Sequence, residues 1–139
     1  MGDLYLNRKI DLFLSAWKKN PERKPLIVKG PRQVGKTESI RRFAAQNYES
    51  VIYINFVEEP KYKLITEDGY RAEDIVKNIS RMDPSKRFQP EQTVLIFDEI
   101  QDFASIATSL KFFKIDGRFD VICSGSLLGI NYREIESNS

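Results

Sequence analysis

Residues 30–37 read Gly-Pro-Arg-Gln-Val-Gly-Lys-Thr, directly after the apolar run Leu26-Ile27-Val28 and directly before a stretch with helical periodicity. No other stretch of the chain restricts its fold as tightly. Glycines at the first and sixth positions let the backbone wrap closely around an anion, and successive N–H groups then point inward at the positive end of the following helix. Such a cradle fits a polyphosphate. Lys36 would reach the outer phosphates as a point charge. The Thr37 hydroxyl would give one oxygen to a magnesium ion that takes its other ligands from water and phosphate. The candidate phosphate-binding residues are therefore Gly30, Pro31, Arg32, Gln33, Val34, Gly35, Lys36 and Thr37. A solvated glycine-rich turn is the bland alternative, and the strand before it and helix after it argue against that.

The rest of the chain alternates helix and strand. Ile10, Phe13, Leu14 and Trp17 recur at helical spacing, which predicts an inward-facing stripe and makes Trp17 and Phe13 core residues instead of an adenine clamp. Leu26–Lys29 reads as a buried strand, 37–47 as a helix and 51–56 as a second strand. Ile75, Val76, Ile79 and Met82 mark one face of a helix starting near Ala72, and 93–97 is a third strand. Ile106, Leu110 and Phe113 predict a helix ending near Asp116-Gly117, and 119–123 is a fourth strand. Residues 20–25, 58–70 and 83–92 read as loops. Strands separated by helices imply an α/β, three-layer fold with a mostly parallel sheet, and 139 residues suit a single domain over 1–139.

A second constellation lies in Thr93-Val94-Leu95-Ile96-Phe97-Asp98-Glu99, an apolar strand ending in adjacent carboxylates. A parallel strand delivers its last residues to the carboxyl edge of the sheet, where the 30–37 loop must also sit. Asp98 is then a magnesium ligand, directly or through water, and Glu99 polarises a water for in-line attack on the outer phosphate. Glutamate beside the metal ligand favours water activation, and no Asn-Lys-x-Asp guanine reader is present, so ATP with Mg2+ is the expected pair. The fourth strand ends in Cys123-Ser124-Gly125-Ser126, where the hydroxyl of Ser124 or of Ser126 could position the attacking water; the sequence does not separate them. Arg133 is the only arginine after that strand and the one candidate finger, while Arg41 and Arg42 are expected on the wet face of their helix.

Composition narrows the chemistry further. The chain has no histidine and a single cysteine, Cys123, which excludes the usual zinc sites, histidine-based triads and an intramolecular disulfide. Any metal must use oxygen ligands. No apolar run is long enough to span a bilayer, and Met-Gly-Asp-Leu-Tyr lacks the pattern of a secretion signal, so a cytoplasmic location is expected. A net charge of +2 with interspersed signs gives no electrostatic footprint for nucleic acid.

The segments PLIVKGPRQVGKT, VLIFDEIQ and VICSGSLLG, preceded by YLNRKID, resemble the AAA_14 type of bacterial and archaeal AAA-superfamily ATPases. The resemblance implies a P-loop NTPase core with strand order 5-1-4-3-2, the fourth strand lying between the first and third. It also implies that 30–37 is the Walker A loop, Asp98 and Glu99 the Walker B pair, and Ser124 or Ser126 the first sensor. The family carries a fifth strand, a helical lid and a C-terminal domain, for which no residues remain before Ser139. The chain therefore reads as truncated, expected to bind ATP yet hydrolyse it slowly, with homo-oligomer or protein contacts through the missing region. A nucleotide-gated switch or scaffold is an alternative use of the same site. Asp98-Glu99-Ile100-Gln101 is also similar to the Asp-Glu-x-Gln motif of superfamily 1 helicases, although no basic, aromatic groove pattern accompanies it.

Overall fold

A computed structural model describes residues 2–29 and 35–125. Helix α1 (Gly2–Lys19) leads into strand β1 (Leu26–Lys29), helix α2 (Lys36–Asn47) and strand β2 (Ser50–Asn55). Helix α3 (Ala72–Met82), strand β3 (Thr93–Asp98), helix α4 (Leu110–Asp116) and strand β4 (Asp120–Gly125) follow. The strands form one sheet in the order β1-β4-β3-β2, all parallel, so β4 lies between β1 and β3 as the resemblance implied.

Side-chain alternation divides the sheet between two helical layers. Val94 and Ile96 of β3 and Ile122 of β4 pack with Leu14 of α1 and with Ile40, Phe43 and Ala44 of α2. Leu95, Phe97, Val121 and Cys123 point the other way, onto Ile75 and Ile79 of α3 and Leu110 and Phe113 of α4. Every residue of β3 is buried, as a strand covered on both faces requires.

Three details depart from the sequence expectations. Phe13 is 58% exposed, because the buried stripe of α1 runs through Leu14, flanked by Ile10 and Trp17, and only that side meets α2 and the sheet. Residues 58–70 are not plain loop: Pro60–Thr66 forms a 3-10 helix that buries Tyr62 and Ile65. Their spacing of three suits a helix with three residues per turn. The helix expected to carry Ile106 begins as a 3-10 segment, Ile100–Ser109, kinked at Phe103, and becomes α-helical only at Leu110.

Candidate active site

Helix α2 begins on Gly35, whose φ of 100° lies in the left-handed region that a side chain would strain. From there the first turn of α2 runs against the carboxyl edge of the sheet. Since Ile96 faces α2, Asp98 two residues later faces it too, and Thr37 Oγ1 donates a hydrogen bond to Asp98 Oδ2 at 3.1 Å. Val51 and Tyr53 of β2 share that face, and Tyr53 Oη donates to the same Oδ2 at 2.6 Å. The other oxygen, Oδ1, accepts the Glu99 N–H at 2.8 Å. Asp98 is only 3% exposed, so these donors stand in for water around its carboxylate.

The donor count bears on a metal. Each carboxylate oxygen offers about two acceptor positions. Those of Oδ2 are taken by Thr37 and Tyr53, whereas Oδ1 keeps one. Thr37 Oγ1 spends its proton on Asp98 and keeps its lone pairs. Among the described residues no group of three or more acidic, histidine or cysteine side chains converges. A sparse set of oxygen donors fits magnesium, which holds several waters and takes phosphate oxygens, better than it fits a metal caged by protein.

Lys36 Nζ donates to the Gly125 carbonyl at 3.0 Å, so the first residue of α2 leans over the end of β4. Glu99 adopts a left-handed backbone (φ 58°, ψ 45°), uncommon for a residue with a side chain. Its Oε2 accepts a hydrogen bond from Gln101 Nε2 at 2.7 Å. Thr37, Tyr53, Asn55, Val57, Glu58, Asp98 and Glu99 line one cleft of about 350 Å3. Ser124 lies on the α2 face by alternation from Ile122 and pairs in register with Val28 of β1. Its hydroxyl is buried without a hydrogen-bond partner, as is that of Ser39 in α2.

Of the candidates read from the sequence, Thr37 and Asp98 are thus hydrogen-bonded, Glu99 shares their cleft, and Lys36 and Ser124 sit at the neighbouring strand end. Gly30, Pro31, Arg32, Gln33, Val34, Ser126 and Arg133 lie outside the described residues. Sequence reasoning missed Tyr53 and Asn55. Asn55 pairs with Asp98 in register, and its Oδ1 accepts the Val57 and Glu58 N–H groups, both at 2.9 Å. The available signal was parity: in Val51-Ile52-Tyr53-Ile54-Asn55 the odd positions turn polar as the strand nears its carboxyl end. Arg41 is exposed as expected, yet its guanidinium stacks 4.2 Å above the Tyr53 ring. Arg42 forms an exposed ion pair with Asp11. Burial, followed by the hydrogen bond to Asp98, pushes the Tyr53 phenol well above its ordinary range, so it remains a proton donor at neutral pH.

The fold resembles that of C. elegans PCH-2, with a TM-score of 0.59 at 12% identity, over 96% of this chain and 40% of that one. The chain thus spans about two fifths of that protein's length. No curated protein matches the sequence. The sequence profile of AAA_14, described as an AAA domain, matches residues 22–139. A parallel α/β sheet in the order β1-β4-β3-β2 and a match covering most of the sequence lead to one conclusion: the chain belongs to the AAA_14 family of AAA domains and has the fold of a P-loop NTPase.

Proposed function

We propose that the chain binds ATP with magnesium at the carboxyl edge of its sheet and that the same site hydrolyses the outer phosphoanhydride bond. The observation that carries this reading is the convergence of Thr37, Asp98 and Glu99 in one cleft, with Lys36 at the adjacent strand end. Lys36 exchanges the Gly125 carbonyl for the outer phosphates, a stronger, charge-assisted partner. Thr37 Oγ1 and, directly or through water, Asp98 hold the magnesium ion. When bound, that ion neutralises charge on the phosphates and orients them. Glu99 accepts a proton from water as the water oxygen bonds to the terminal phosphorus, and the bond to the ADP oxygen breaks. Ser124, with a buried hydroxyl lacking a partner, is the described candidate for orienting that water.

Lys36→Ala tests the reading. Calorimetry should show ATP affinity falling about ten- to a hundredfold, the worth of a hydrogen bond to a charged group. Equal affinities would remove the phosphate site from this loop. A slow, switch-like use of the same site is favoured by the hydrogen bond from Gln101 that holds the Glu99 carboxylate. Phosphate release at saturating ATP separates the two uses, and single-stranded DNA stimulation of that rate would point to a nucleic-acid motor.

A further inference from the structure

We propose that Tyr53 is a positioning residue for the magnesium site, acting through Asp98 and touching neither metal nor nucleotide; this rests on the ATP and magnesium reading above. A carboxylate at a strand end rotates about its Cβ–Cγ bond unless donors fix it, and rotation would exchange the oxygen with a free acceptor position for the saturated one. Here Oδ2 is gripped from both neighbouring elements, by Thr37 of α2 at 3.1 Å and by Tyr53 of β2 at 2.6 Å. The phenol is the tighter hold. It fills the second acceptor position of Oδ2 and leaves the open one on Oδ1, which also accepts the Glu99 N–H.

Tyr53 is itself braced. Its strand is locked to β3 in register, with Tyr53 opposite Ile96 and Asn55 opposite Asp98. The Arg41 guanidinium lies over its ring at 4.2 Å, and Arg41 stands one helical turn beyond Thr37 on α2. Metal ligand candidate, tyrosine and arginine therefore form one connected patch, running from α2 across β2 to the end of β3. Tyr53 carries a hydroxyl where a purely packing role would be met as well by phenylalanine.

Tyr53→Phe keeps the ring and the Arg41 stack and deletes only the hydroxyl. ATP affinity should be measured by calorimetry across a series of free magnesium concentrations and again with a chelator. The half-saturating magnesium concentration should rise about three- to tenfold, less than the full worth of a hydrogen bond to a charged group because the lost bond acts on the metal only through Asp98, while the metal-free ATP affinity stays within about twofold of the parent. A variant that melts earlier but keeps the parent's magnesium midpoint makes Tyr53 a packing residue and overturns the proposal. A fluorine placed beside the hydroxyl of Tyr53 gives a second readout that does not depend on the variant's folding. Its resonance should move when magnesium joins bound ATP, and an unmoved resonance also overturns the proposal. Parent protein that binds ATP without any magnesium dependence would instead bring down the underlying site assignment, and is visible before any Tyr53 variant is made.

Discussion

The two ends of the sheet are both rich in polar side chains, and they spend them differently. At the end where the strands begin, Arg23 Nε and Nη2 both reach Asp120 Oδ2 at 2.9 Å, and the same oxygen accepts the Tyr48 hydroxyl. Arg23 Nη1 donates to the Lys18 and Asn20 carbonyls, Trp17 Nε1 to the Lys24 carbonyl, and Lys114 Nζ to the carbonyls of Glu22 and Arg23. These bonds staple α1, the following turn, the end of α2, α4 and β4 together, and donors meet protein acceptors throughout. At the carboxyl end the bonds leave capacity over: one acceptor position on Asp98, the lone pairs of Thr37, an orphaned Ser124 hydroxyl and a left-handed Glu99. Polar groups satisfied by one another hold a fold together; those left partly unsatisfied can receive a ligand.

That contrast predicts separable effects. The largest is expected from Glu99→Gln, which keeps shape and deletes the base: hydrolysis should fall at least about a hundredfold in a phosphate-release assay while ATP affinity and melting temperature stay near the parent. Turnover at the parent rate would hand the water to another group. Next comes Asp120→Ala at the opposite end, which strands both Arg23 and Tyr48. Urea unfolding should report a loss of about 1–3 kcal/mol, moderated by the partial exposure of the pair, with ATP affinity within about twofold. Affinity that collapsed along with stability would show that the two ends are not independent.

The smallest effect belongs to Tyr48 and appears only in alkali. Burial and the hydrogen bond to Asp120 raise its phenol above the ordinary value. Unfolded chain loses that proton near pH 10 while the folded chain retains it, so the stabilisation is fully present below about pH 10 and is lost as pH rises further. The unfolding free energy from urea titrations should be flat from pH 7 to 9 and then decline, by at most about 1.4 kcal/mol per pH unit for this group. Tyr48→Phe should decline less steeply. An identical slope would place the alkaline sensitivity elsewhere.

Features written locally in the chain were legible. An apolar run ending in Asp98-Glu99 announces a strand arriving at an edge, and Gly35 before Lys36 announces a turn that becomes a helix. The strand boundaries shifted only at their ends: the expected 119–123 is Asp120–Gly125, and 51–56 is Ser50–Asn55. What was not legible depends on register between distant segments. Tyr53 looks like any aromatic residue in a strand, and nothing near it in sequence says that a strand forty residues on will set Asp98 within reach of its hydroxyl. Phe13 shows the converse limit. Helical spacing gives a stripe but not its width, and the width of α1's buried stripe is set by how much of α2 and the sheet it meets.

The strand order also fixes when the molecule can become whole. Among the described residues β1 pairs only with β4, the last of the four strands in sequence, and β3 reaches β1 only through it. A ribosome making this protein therefore releases α1, β1 and α2 long before they have a sheet to join. The β2–β3 pair can form as soon as Asp98 emerges, but the β1 backbone, Leu26–Lys29, waits for its partner strand at residues 120–125. Closure of such a non-local pairing is intrinsically slow and leaves an open strand edge exposed meanwhile. The Lys36 contact to Gly125 spans 89 positions, so the first turn of α2 gains that contact only once β4 has emerged.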